Sequence, residues 1–219
     1  MKKVKGIIFD MDGLLFDTES IYCEANLVVA EKYGLPFTKE IYARFIGISD
    51  EEVWAELHKM YADHGEETVQ KFIDESWGMA HDRFKTGEVD LKPGVHELLA
   101  YLEEKEIPRV VASSNVRPII EILLEHAEIR DKFSDIISAE DVKFAKPDPE
   151  IFVIASNRLG LAPEDCLVLE DSKNGILAAE GAEVPVVMVP DILPPTTELK
   201  EKTEAVFSTL HEVIDFLEA

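Results

Sequence analysis

The sequence predicts an α/β protein, a doubly wound parallel sheet of Rossmann-like type with an α-helical domain inserted after its first strand. Three observations predict it. The apolar run Val4 to Phe9 does not alternate, so it reads as a strand buried on both faces. Residues 17 to 90 then keep helical periodicity with no strand pattern among them. From Leu91 onward helix and strand patterns alternate, as the crossovers of a parallel sheet require. The expected division is a core of residues 1–16 and 91–219 and a helical cap of residues 17–90.

Each element has its own signal. Ile21, Ala25, Val28 and Val29 mark one helical stripe, closed by Gly34 and Pro36. Thr38 opens a short helix towards Gly47. Ser49 with Glu52 forms a capping box ahead of Val53, Leu57, Met60 and Tyr61. Val69, Phe72, Ile73, Ser76, Ala80 and Phe84 mark a longer helix ending near Gly87. In the core, Val95, Leu98, Leu99 and Leu102 share a helix face, and Pro108 to Asn115 is a strand ending in hydroxyls. A helix carrying Ile120, Leu123, Leu124 and Ala127 precedes a third strand, Asp135 to Ala139. After Lys146, Asp148 is the expected N-cap of the next helix, with Pro149 in its first turn. Leu167 to Asp171 is a fourth strand and Val184 to Val189 a fifth. Val206-Phe207 is a possible edge strand before a final helix, Glu212 to Leu217.

Composition narrows the partners. Forty-five acidic against 22 basic residues give a net charge of −23, which repels polyanions and argues against nucleic acid and anionic membrane surfaces. A chain of 219 residues with 46% hydrophobic content buries a good core and expects a small-molecule partner. Cys23 and Cys166 fit neither a disulfide framework nor a zinc spacing, so both read as packing residues in a reducing cytoplasm. No apolar run approaches a membrane span, and Asp10 and Asp12 interrupt any signal-peptide pattern. A monomer is the default expectation.

The chemistry gathers at strand ends. Asp10 and Asp12 follow the first strand and project to one side, with Gly13 allowing a sharp turn. Ser113 follows the second strand, Lys146 lies in the loop after the third, and Glu170-Asp171 end the fourth. In an open α/β sheet such ends converge on one crevice. Each group has a bland reading alone, as a cap, a solvated lysine or an ordinary strand exit; the four together, in this order, outweigh it. Asp10, Asp171 and Glu170 are hard oxygen ligands that select Mg²⁺. Lys146, the Ser113 hydroxyl and backbone N–H groups meet the remaining charge of a phosphate. Asp10 can then attack phosphorus, with Asp12 carrying the proton to and from oxygen.

These segments resemble the haloacid dehalogenase-like phosphohydrolases of the helical-cap branch, which includes beta-phosphoglucomutase and many small phosphatases. Phe9-Asp10-Met11-Asp12-Gly13-Leu14-Leu15-Phe16-Asp17-Thr18-Glu19 is similar to the family's first motif and Val111-Ala112-Ser113-Ser114-Asn115 to its second. Lys146-Pro147-Asp148-Pro149 is similar to the third and Leu169-Glu170-Asp171-Ser172 to the fourth. The resemblance covers essentially the whole chain. It implies Asp10 as nucleophile, Asp12 as acid/base, Ser113, Ser114 and Lys146 as phosphate ligands, and Asp10, Glu170, Asp171 and the Asp12 carbonyl around Mg²⁺.

The implied activity is hydrolysis of a small phosphorylated metabolite, a sugar phosphate or nucleotide monophosphate, through an aspartyl-phosphate. A phosphomutase is the runner-up. Tyr22 and Asp50 stand where, by alignment, those mutases carry a histidine and an arginine, which argues against it. Dehalogenation fits the acid cluster poorly. A phospho-receiver is disfavoured by chain length and by the cap, and an idle binding protein by the completeness of the site. Glu19, Tyr22, Gly47 and Asn115 are candidates for substrate specificity, Arg44 and Ser49 weaker ones, and the linkers near Leu14 to Asp17 and Glu88 to Pro93 read as hinges of a lid. His58, His64 and His81 lack metal-site spacing and read as surface or packing residues.

Overall fold

The computed structural model describes residues 4–46, 50–87 and 89–219, with nothing said of the side chains of Asp50 and Glu51. Strand β1 (Gly6–Phe9) lies inside the sheet, and Ile7, Ile8 and Phe9 are fully buried because strands pair along both its edges and the crossover helices cover the sheet's faces. The regular strand starts at Gly6, later than expected. Lys5 instead donates its backbone N–H to the Asp165 carbonyl at 2.8 Å and keeps its side chain in solvent.

Among the described residues there follow the α-helices α1 (Thr18–Tyr33), α2 (Lys39–Tyr42), α3 (Asp50–Met60) and α4 (Glu66–Thr86). Ile21, Ala25 and Val29 of α1 are buried, but Val28 is 48% exposed. Packing follows the i, i+4 ridge, and the i+3 position falls off its edge. All six residues expected on the inner face of α4 are buried. Thr38 caps α2 by accepting from the Ile41 N–H at 3.3 Å, and Gly87 ends α4 in the left-handed conformation, φ 73°. Phe37, Phe45, Tyr61 and Phe72 centre the core of this unit. The expected capping box at Ser49 lies outside the described residues.

The alternating part runs α5 (Val95–Glu104), β2 (Arg109–Ala112), α6 (Arg117–His126), β3 (Asp135–Ile137), α7 (Glu150–Leu159), β4 (Cys166–Glu170), α8 (Lys173–Gly181), β5 (Val186–Met188), α9 (Thr197–Glu201), β6 (Ala205–Val206) and α10 (His211–Glu218). Among the described residues the sheet has six strands, all parallel, in the order β3-β2-β1-β4-β5-β6. In register, Ile8 of β1 lies between Val110 of β2 and Val168 of β4. The winding reverses between β1 and β4, so a crevice is expected at their carboxyl ends. The N-cap position of α7 is Pro149, one residue later than expected. Asp148 still serves that helix end, since its Oδ1 accepts from the Glu150 N–H at 3.0 Å. Helices α8 and α9 were not foreseen, and the expected ends of β2 to β5 each overrun the paired residues by one or more positions.

The chain divides into two compact units, Met1–Asp17 with Asp90–Ala219, and Thr18–Val89. Where the first unit opens for the insertion its two segments pair with each other. The Asp17 N–H donates to the Asp90 carbonyl and the Lys92 N–H to the Leu15 carbonyl, both at 2.9 Å, around an antiparallel bridge between Phe16 and Leu91. Among the described residues, no helix is long and apolar enough to cross a membrane.

Candidate active site

The site is built from the end of β1 outward. Asp10 is held to β4 by its backbone N–H, which donates to the Leu169 carbonyl at 3.0 Å. Beyond it the chain coils on itself, with the Leu15 and Phe16 N–H groups both bonding the Met11 carbonyl. Gly13 has φ 79°, a conformation that disfavours any side chain. A Cβ there would also come within 2.5 Å of Asp171 Oδ2, so an acid on β4's exit occupies the space that glycine leaves.

Lys146 joins the acids. Its Nζ lies 2.5 Å from Asp10 Oδ1 and 2.8 Å from Glu170 Oε1, and it also donates to the Ala112 carbonyl at 3.2 Å. The Phe152 ring lies under the ammonium at 4.8 Å from its centroid. With the side chains of Lys146, Asp10 and Glu170 only 6%, 9% and 1% exposed, the three charges are removed from water together. Burial pushes the Asp10 carboxyl up to about 8, with Glu170 and Asp12 adding to the rise and Lys146 opposing it. For Lys146 burial acts downward, but the two carboxylates prevail and its pKa is raised, so it stays protonated.

Glu170 is fixed at both oxygens, since Oε2 accepts from the Ser172 N–H at 2.7 Å. Gly175 in α8 makes room for it; a Cβ at that position would sit 1.6 Å from Glu170 Oε1. Oxygens of Asp10, Glu170 and Asp171 all lie within 4.8 Å of one another. Three carboxylates, two of them buried, around one lysine suit a hard divalent cation, which would balance the surplus negative charge. The Asp12 side chain is not in that cluster. It is directed to Ser113, whose buried Oγ donates to Asp12 Oδ2 at 3.1 Å and accepts from the Asn115 N–H at 3.0 Å. The structure therefore separates the two acids of the first motif, one towards Lys146 and the other towards Ser113.

Ser114 is exposed and lines a small apolar hollow with Val142 and Phe144. Asn115 serves the backbone: its Oδ1 accepts from the Val116 N–H at 2.9 Å and its carbonyl from the Ala139 N–H at 3.0 Å. In the helical unit, Glu19 accepts a hydrogen bond from the Tyr42 hydroxyl at 2.6 Å, and Tyr22 packs edge-on against Phe84. Gly47 lies outside the described residues. His81 is buried and stacked on Trp77, His64 meets Tyr61, and His58 bonds Gln70. Burial pushes the Cys166 thiol up to about 11, in keeping with a packing role.

Sequence reasoning did not assign three residues beside the acids to the site, Gly175, Lys92 and Asp191, although the segment Val-Val-Met-Val-Pro-Asp191 resembles those of sugar-phosphate and nucleotide monophosphatases. Asp191 lies three residues beyond the end of β5, whereas Asp10 follows β1 directly, and its place after the strand that neighbours β4 was the available signal. Lys92 bonds Asp191 Oδ1 at 2.5 Å.

Comparison with known proteins extends the motif reading to the whole chain. A family model described as haloacid dehalogenase-like hydrolase matches residues 7–189. A "Probable pseudouridine-5'-phosphatase" of Drosophila melanogaster is 33% identical over 222 residues, covering 99% of this chain and 93% of the relative. A "Phosphorylated carbohydrates phosphatase" of Thermotoga maritima is 34% identical over 184 residues, covering 83% of this chain and 82% of the relative. Among solved structures, a beta-phosphoglucomutase from Clostridium difficile superposes with a TM-score of 0.77 at 25% identity, covering 98% of this chain and 96% of that one.

Proposed function

We propose, because this chain belongs to the haloacid dehalogenase-like hydrolase family, that it is a phosphatase hydrolysing the monoester of a small phosphorylated metabolite. The observation that carries the reading is Lys146, bonded at once to Asp10 and Glu170 beside Asp171. In this reading Asp10 attacks phosphorus, forming an aspartyl-phosphate as the ester oxygen departs with a proton from Asp12. Asp12 then takes a proton from water, whose oxygen attacks phosphorus, releasing inorganic phosphate and restoring Asp10. Lys146 and the Ser113 hydroxyl meet the phosphoryl oxygens, and Ser114 adds a second hydroxyl at the same strand end. Asp10, Glu170, Asp171 and the Asp12 carbonyl would hold Mg²⁺, which supplies charge stabilisation of the phosphoryl group and keeps Asp10 ionised.

The relatives named as phosphatases favour a sugar phosphate or a nucleotide monophosphate as substrate. Glu19, Tyr22, Gly47 and Asn115 remain proposed specificity positions, with the helical residues 17–90 as the cap. A cytoplasmic monomer is part of the same reading.

The test is phosphate release across a panel of sugar phosphates and nucleotide monophosphates, with Mg²⁺ added or chelated, for the wild type and Asp10→Asn. Release that needs Mg²⁺ and is abolished by Asp10→Asn is expected. Turnover by Asp10→Asn within a few-fold of wild type would overturn the nucleophile, and silence across the panel with cation bound would overturn the hydrolase. The likeness to a beta-phosphoglucomutase favours sugar phosphomutation as a second reading. An isomerised product, formed after a lag that a sugar bisphosphate relieves, would select it.

A further inference from the structure

Asp191 has no part in the reaction as described, yet it is set against the same glycine as the cation cluster. Its side chain is 8% exposed, and Lys92 fixes one oxygen, Oδ1, at 2.5 Å. The other, Oδ2, is buried and has no hydrogen-bond partner among the described residues. It lies 3.2 Å from the position a Cβ on Gly13 would take, where Asp171 Oδ2 lies at 2.5 Å. A buried carboxylate oxygen without a donor is costly, so one that persists this close to a second acid points to a group that supplies protons to it.

We infer that Asp191 is a positioning residue of the cation site, accepting a hydrogen bond through Oδ2 from a water bound to the divalent cation held by Asp10 and Asp171. Its own oxygen stands outside the group whose oxygens lie within 4.8 Å of one another, Asp10, Glu170 and Asp171, which suits an outer-sphere acceptor and not a direct ligand. Gly13 is then required twice, for its backbone conformation and because a side chain would fill the space between the two acids. Lys92 aims the carboxylate: Oδ1 is tied down, and Oδ2 is set against Gly13 on the side where Asp171 lies. The partners of such ligated groups commonly set metal affinity by ~10- to 100-fold.

This rests on the cation reading above, and the experiment separates the two. Mn²⁺ is titrated into the protein without substrate, and free Mn²⁺ is followed by electron paramagnetic resonance alongside water-proton relaxation of the bound ion. The wild type is expected to bind one Mn²⁺ that retains exchangeable water. Asp191→Asn is expected to weaken that binding by about tenfold. Asp191→Glu keeps the charge but displaces the oxygen, so it too is expected to lose affinity if position is what counts. Asp171→Asn serves as the control for a direct ligand. Wild-type affinity in a folded Asp191→Asn, with binding lost in Asp171→Asn, overturns the role of Asp191 and leaves the cation site standing. A bound ion without exchangeable water in the wild type also overturns it, whatever the variants do. Failure of the wild type to bind Mn²⁺ at all overturns the cation site itself and this inference with it.

Discussion

Glu170 rests directly on Gly175, so that a methyl group on the glycine would come within 1.6 Å of Glu170 Oε1. Gly175 is in the first turn of α8, where alanine is ordinarily about 1 kcal/mol better than glycine. Here the sign is expected to invert. Gly175→Ala must push the carboxylate off Lys146 and the Ser172 N–H, losing a buried ion pair as well as its geometry. Urea denaturation is expected to show a loss of about 1–3 kcal/mol, and phosphatase kcat a fall of ~10²-fold. A variant more stable than wild type and equally active would refute the contact.

The raised pKa of Asp10 makes a prediction for the cation-free protein. Its ordinary value is 3.8 and its folded value about 8, so between those pH values the folded state holds a proton that the unfolded chain has released. Stability contributed by Asp10 is therefore full below pH 3.8 and is lost as pH rises towards 8. Denaturant midpoints measured with chelator should fall across that window, less steeply in Asp10→Asn. Saturating Mg²⁺ should remove most of the slope, because a cation favours the ionised form. A flat wild-type profile with chelator would contradict the burial of this charge.

His81 predicts a slope of opposite sign. Burial holds its pKa below the ordinary 6.5, with Lys85 acting in the same direction and Asp82 against it. As pH falls through 6.5 the unfolded chain takes up a proton that folded His81 refuses, so stability falls until the folded pKa is reached and is flat below it. Because His81 is stacked on Trp77 at 3.5 Å between ring centroids, the emission of Trp77 in a Trp54→Phe background should report both unfolding and the imidazole's charge. His81→Phe is expected to be less sensitive to acid between pH 6.5 and 5 than its parent. Equal sensitivity would exclude His81 as a source of the slope.

The sheet and the meeting of Asp10, Lys146 and Glu170 were legible in the sequence for a simple reason. A parallel sheet brings the ends of β1 and β4 together, so acids placed there need no knowledge of side-chain packing, whereas Lys146 comes from the loop after β3 and was legible through its Lys-Pro-Asp-Pro motif. Side-chain pairing was less legible. Lys92 and Asp191 are 99 positions apart, and neither carries a periodic signal that marks the other. Gly175 carries no signal of its own in the sequence, because its purpose is visible only once Glu170 is seen against it. Val28 shows the limit of helical stripes, since a position at the margin of the apolar arc goes inside or outside according to the ridge that packs. The N-terminus of α7 shows another: Asp148 supplies the capping oxygen while the turn of Pro149 sets where the helix starts.

The paired segments around Phe16 and Leu91 bear on how such a chain can be rebuilt. Asp17 and Asp90 are joined by a backbone hydrogen bond of 2.9 Å beside the isolated Phe16–Leu91 bridge, so the ends of everything between them are already brought together outside the main sheet. The entropy of closing that long loop is met there and not by the inserted helices. Thr18–Val89 thus leaves and re-enters the first unit at adjacent points, the attachment of an insertion whose length and content can change without rethreading a strand. A lineage can then exchange what is plugged into this socket while inheriting Asp10, Lys146 and Glu170 unaltered.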